Sequence, residues 1–105
     1  MILNQMEETA SENNNYRLPT NNTLQNLSKL AILEDKPIMF DYWTGSLDGE
    51  VIIGVREGGE KLLVKSEDEY TSPISKIYKV EQEYIIVTEN SIYVITSDVS
   101  TKRIS

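Results

Sequence analysis

The side chains that could do chemistry here are carboxylates, hydroxyls and aromatic rings, because the 105-residue chain has no Cys and no His. Thiol nucleophiles, thiolate metal sites and disulfides are excluded, as are Ser-His-Asp triads and imidazole bases. The densest acidic run is Glu67-Asp68-Glu69. Magnesium or calcium needs several convergent oxygens. Successive residues of an extended segment point to opposite faces, and the EF-hand spacing is absent, so a solvated loop is expected. Asp41 lies between Phe40 and Tyr42. Read as a strand, this segment carries Asp41 and Trp43 on one face and Phe40 and Tyr42 on the other, with Asp41 exposed beside Trp43. A buried carboxylate there would need a partner or a raised pKa. Asp48 or Glu50 could complete a two-carboxylate pair of the glycosidase kind, but nothing in the spacing fixes their separation.

Phe40, Tyr42, Trp43, Tyr70, Tyr78, Tyr84 and Tyr93 make up most of the aromatic content. Cross-strand packing is their ordinary role. The alternative is a recognition platform, and Trp43 followed by the turn-like TGSLDG is the best placed for it. The expected partner-binding residues are therefore Trp43, Tyr42 and Asp41, with Tyr16 and Leu18 from the N-terminal segment. Gly54 and Gly58-Gly59 form no phosphate loop, since neither Lys-Ser/Thr nor a helix follows them. No catalytic residue, metal ligand set or cofactor is expected, and the chain reads as a non-enzyme.

Charge narrows the partners. Ten Lys and Arg against 17 Asp and Glu give a net charge of −7. A nucleic-acid surface needs clustered basic residues, and here they are scattered among acids. The expected partner is protein, either another subunit of the same chain or a different one. No apolar run approaches the ~20 residues of a membrane span. The start, MILNQMEETASENNN, has neither the basic nor the apolar region of a signal peptide, so an intracellular location, or a virion, is expected. With 39% hydrophobic and 26% charged residues the composition is that of an ordinary small globular protein.

Residues 1 to about 22 carry six Asn and few large apolar side chains. Such a segment cannot offset its ordering entropy alone and reads as a flexible arm. Ile2, Leu3, Met6, Tyr16 and Leu18 are anchors that could become ordered on a neighbour. Residues 23–105 read as a single β-rich domain with an N-terminal helix. The helix spans Asn22 to Asp35, with Asn22 as cap and Gln25 at the N3 position of a capping box. Leu24, Leu27, Leu30 and Ala31 form its apolar face, Ile32 and Leu33 widen it, and Lys36-Pro37 ends it.

Strand signals follow in IMFDYW (38–43), EVIIGVRE (50–57), EKLLVKS (60–66), Ile74 to Val80, EYIIVT (83–88) and SIYVIT (91–96). Turns are read at TGSLDG (44–49), Gly58-Gly59, Glu81-Gln82 and Glu89-Asn90, with a polar loop at 66–73. The last two strands are apolar on both faces, which predicts a central position or a place in a closed barrel. The expected fold is mainly β (α+β): a helix, then five or six antiparallel strands in sequence order, closed as a small SH3-like or Sm-like barrel.

The helix-then-strands order resembles that of Sm proteins. Their Arg-Gly signature near the last strands is missing from EYIIVTENSIYVI, so the resemblance implies architecture and not RNA-binding residues. The segments KLAILEDKPIMFDYWTGSL, EKLLVKSEDEYTSPI and EYIIVTENSIYVI are similar to small proteins of large DNA viruses. This implies no particular activity or site residue. The expected function is that of a structural or interaction protein, such as a component of a viral assembly, whose arm engages a neighbouring subunit. The alternative is a small acidic binding module that inhibits a host protein by mimicking nucleic-acid charge.

Overall fold

The computed structural model describes residues 17–104. Most of the expected arm, including Ile2, Leu3, Met6 and Tyr16, lies outside the described residues. Helix α1 (Asn21–Glu34) opens on Thr20, whose extended backbone turns its Oγ1 toward the Thr23 N–H at 3.2 Å. A threonine in this position satisfies one of the free amides of a helix start. The cap thus falls two residues before the expected Asn22, which instead accepts from the Asn26 side chain. Asp35 closes the helix in the left-handed region at φ 55, its N–H donating to Ala31 O, and Lys36-Pro37 follows. Leu24, Leu27, Leu30 and Ala31 pack into the core as expected. Ile32 and Leu33 do not widen that face: they are 80% and 74% exposed. At ~100° per residue both lie more than a quarter turn away from Leu27.

After β1 (Ile38–Met39) the expected strand through Trp43 breaks off. Tyr42 adopts a helical backbone, and Trp43–Leu47 forms a short helix, α2, where a strand end and a turn were expected. Burial explains the change. Tyr42 and Trp43 are adjacent, yet Trp43 packs into one cluster of the core and Tyr42 into the other. The Ser46 hydroxyl fixes the turn, donating to Trp43 O at 2.6 Å and accepting the Thr96 N–H at 3.1 Å. Tertiary packing of this kind overrides aromatic β-propensity.

The remaining strands are β2 (Ile52–Val55), β3 (Lys61–Ser66), β4 (Glu69–Tyr70), β5 (Ile74–Val80), β6 (Glu83–Thr88), β7 (Ile92–Thr96) and β8 (Ser100–Arg103). They form two four-stranded sheets, ordered β1-β7-β6-β5 and β4-β3-β2-β8. Both are mixed: β1 runs parallel to β7 and β8 parallel to β2, and the other pairs are antiparallel. The expected meander survives as two separate runs, β2-β3-β4 and β5-β6-β7. The single antiparallel closed barrel is not formed. Two short strands, β4 and β8, were not foreseen. β8 reads Ser-Thr-Lys-Arg, is exposed along its whole length, and gives no apolar alternation to detect.

Alternation along β6 and β7 builds the layers. Ile85, Val87, Ile92 and Val94 meet Leu27 of α1 and Trp43 of α2. Ile86 and Ile95 point the other way, to Val51, Ile53 and Leu63 of the second sheet. The central position expected for β6 and β7 is observed, and the order is helices, first sheet, second sheet. Gly58 and Gly59 turn the β2–β3 hairpin, both at φ 95, a conformation costly for other residues.

Gly54 serves a different purpose. A Cβ there would lie 2.7 Å from Ile104 Cδ1 and 3.0 Å from Val64 Cγ2. Gly54→Ala is expected to cost about 1 kcal/mol by displacing Ile104 across the second sheet, measured as a lower urea midpoint at unchanged slope.

Candidate functional site

The clearest polar arrangement lies where the N-terminal segment meets the domain. Glu83 begins β6 in the same alternating register as Ile85 and Val87, so its side chain points under α1. It is fully buried. Its Oε1 accepts from Thr23 Oγ1 at 2.6 Å, Thr20 N at 3.2 Å and Thr20 Oγ1 at 3.3 Å. Its Oε2 accepts from Arg17 Nη1 at 2.9 Å. The carboxylate thus sits at the N-terminus of α1, where a negative charge is favoured. Burial pushes its pKa up, but the Thr23, Arg17 and Thr20 hydrogen bonds outweigh it and hold the carboxyl below its ordinary value.

Arg17 is held a second way. Its guanidinium lies 5.0 Å from the centre of the Trp43 ring, a cation–π contact. The indole Nε1 donates to Arg17 O at 2.7 Å. Trp43 and Glu83 therefore grip both the backbone and the side chain of Arg17. Pro19 is buried and Leu18 is 61% exposed. Residues 17–23 are thus held against the domain, with Arg17 fixed at its edge.

The residues singled out from sequence divide accordingly. Trp43 and Tyr42 are each 3% exposed, so a partner would meet their neighbours and not their rings. Tyr42 packs edge-on against Tyr93 at 5.3 Å, with Lys65 Nζ 4.9 Å from its ring centre. Burial, then the charges of Glu69, Tyr93 and Asp41, push its hydroxyl up to about 12. Asp41 is exposed, and its carbonyl accepts from Lys65 Nζ at 2.8 Å. It does not share a strand face with Trp43, because the chain has already turned. Leu18 is the exposed apolar residue of the set, and Tyr16 lies outside the described residues. Glu67, Asp68 and Glu69 are exposed as expected. Among the described residues no three acids converge on a possible metal position.

Sequence reasoning missed Arg17, Thr20, Thr23 and Glu83. A signal was present: an acid in the core-facing register of an apolar strand must be paired or hydrogen-bonded. A second feature, on the outer face of the second sheet, is a depression of about 470 Å³ lined by Leu62, Val64, Tyr70, Ile104 and Arg56, among others. Arg56 lies 5.9 Å from the Tyr70 ring centre and bonds Glu60.

The fold and this site define a small three-layer domain, mainly β, that carries an anchored N-terminal segment. No protein-family model matches the chain, and neither a curated protein nor a solved structure matches it. Among the described residues no helix is long and apolar enough to cross a membrane.

Proposed function

We propose that the protein is a non-enzymatic structural or interaction component, within the cell or a viral assembly, that uses its N-terminal segment to engage a neighbouring protein subunit. The observation that supports this is the grip on Arg17 by Trp43 and Glu83. A segment that leaves from a fixed point loses less orientational freedom on binding than one leaving from a loose end. Ile2, Leu3 and Met6 are the apolar side chains available to it, and Leu18 extends them on the domain surface.

The test compares the full chain with the full chain carrying Ile2→Ser, Leu3→Ser and Met6→Ser. Light scattering after gel filtration reads self-association, and pull-down from the native source reads other partners. The expected result is loss of bound partner or of oligomer mass with unchanged thermal stability. Unchanged binding and mass would overturn the reading. A truncation meant to test the same point should begin at Arg17, because one beginning at Thr23 removes the grip as well.

A further inference from the structure

Sheet edges expose rows of unpaired backbone groups, and proteins usually keep them short, bulged or charged. Here β1 and β4 have two residues each and β8 has four. β5 is longer, with seven residues at the edge of the first sheet. Among the described residues it pairs with β6 alone. Ser75 to Lys79 are exposed, Ile77 and Tyr78 at 38% each. The register shifts between Ile74 and Lys76, which places Ser75 in a bulge, and Glu81 turns left-handed at φ 53. These two irregularities bracket a regular run, Lys76 to Val80, whose midpoint is Tyr78.

We propose that this edge pairs with the same edge of a second copy of the chain, antiparallel across a two-fold axis at Tyr78. An isologous contact requires a self-complementary surface, and the run meets that condition. The axis sets Tyr78 against Tyr78 of the second copy, Ile77 against Lys79, and Lys76 against Val80. All five regular residues are paired and no like charges are directly opposed. Cross-strand aromatic pairs and apolar contacts with a lysine stem are favourable. Because alternate residues turn their backbone groups outward, the register can slip only by two residues: one such slip sets Lys79 against Lys79, and the other draws the bulged Ser75 into the pairing. Lys79 and the Ser75 bulge therefore select the register. The contact is small, so the dimer is weak and concentration-dependent. This surface meets the anchored N-terminal segment at Val80, whose carbonyl lies 3.5 Å from Thr23 Oγ1, and Ser75 to Lys79 are exposed beyond it.

The test uses full-length Tyr78→Lys and Tyr78→Glu variants, with light scattering over a range of concentrations. Each variant alone sets like charges on the axis and is expected to lose the two-fold association, while a one-to-one mixture regains it. In the unmodified chain the exchange of those amides of residues 76–80 that do not bond β6 slows as concentration rises. Serine substitution of Ile2, Leu3 and Met6 leaves this association in place, which separates it from the function proposed above. A monomer mass at every concentration, single variants that keep the wild-type mass, or a mixture that fails to recover it would each overturn the proposal.

Discussion

Glu83→Ala is expected to destabilise the domain by about 3 kcal/mol, the lower part of the range for breaking a buried charge pair. The lower part applies because Arg17, with a side chain 41% exposed, can turn to water once its partner is gone. Thr23 cannot do so. It is fully buried, and its hydroxyl is left with only the long 3.5 Å contact to Val80 O while the Thr20 N–H loses its acceptor, a penalty of ~1–3 kcal/mol for an unsatisfied group. Glu83→Gln keeps an oxygen toward Thr20 and Thr23 and should cost less. The pH dependence separates charge from shape. The folded pKa of Glu83 lies below its ordinary 4.5. Its contribution is therefore fully present above pH 4.5 and is lost as pH falls through the lowered folded value. Arg17→Ala removes one of the groups that lower it and leaves the burial that raises it, so the acid loss should begin at higher pH. Glu83→Gln should remove this part of the pH dependence. Thermal unfolding monitored from pH 3 to pH 7 checks all three variants. A Glu83→Ala protein as stable as the parent at pH 7 would show that the carboxylate does not hold the segment.

The central strands were legible because their alternation is strong on both faces: Ile85, Ile86, Val87, Val94 and Ile95 are all fully buried. The β2–β3 hairpin was legible because Gly58-Gly59 supplies the backbone it needs. What failed was set by contacts distant in sequence. Trp43 and Tyr42 look like strand residues by type, but each is claimed by a different cluster of the core, and only a helical turn between them allows both. The parallel pairings of β1 with β7 and of β8 with β2 join residues about 50 apart. Nothing local in Ser-Thr-Lys-Arg announces such a pairing. The two-sheet division follows from them, which is why a single closed meander seemed the simpler solution. At the site, Asp41 was correctly read as exposed. The gripping residues were overlooked because Glu83 was read only as the first residue of a strand, although its register with Ile85 and Val87 places it inside, where a carboxylate needs partners.

Trp43→Ala is expected to cost about 3–5 kcal/mol, as for other large aromatic residues removed from a packed core. Its ring is the part of α2 that reaches Leu27, Ile85 and Val94, so the loss leaves a cavity between both helices and the first sheet. Trp43→Phe should cost only ~1 kcal/mol, because it keeps most of the apolar contact and gives up the indole N–H bond to Arg17 O. The two variants separate packing from grip, and urea denaturation gives both values. Combining Trp43→Phe with Arg17→Ala should cost close to the sum of the two, since the indole bonds the Arg17 backbone carbonyl, which alanine keeps, and only the guanidinium–ring contact is shared. The comparison also bears on function. Any binding lost in Trp43→Ala mixes a damaged core with a released segment, whereas loss in Trp43→Phe reports the segment alone. If Trp43→Phe binds its neighbour as well as the parent does, the indole bond to Arg17 is not what orients the N-terminal residues. The orientation would then rest on the Arg17 guanidinium, held by the Glu83 carboxylate and by the aromatic ring at position 43.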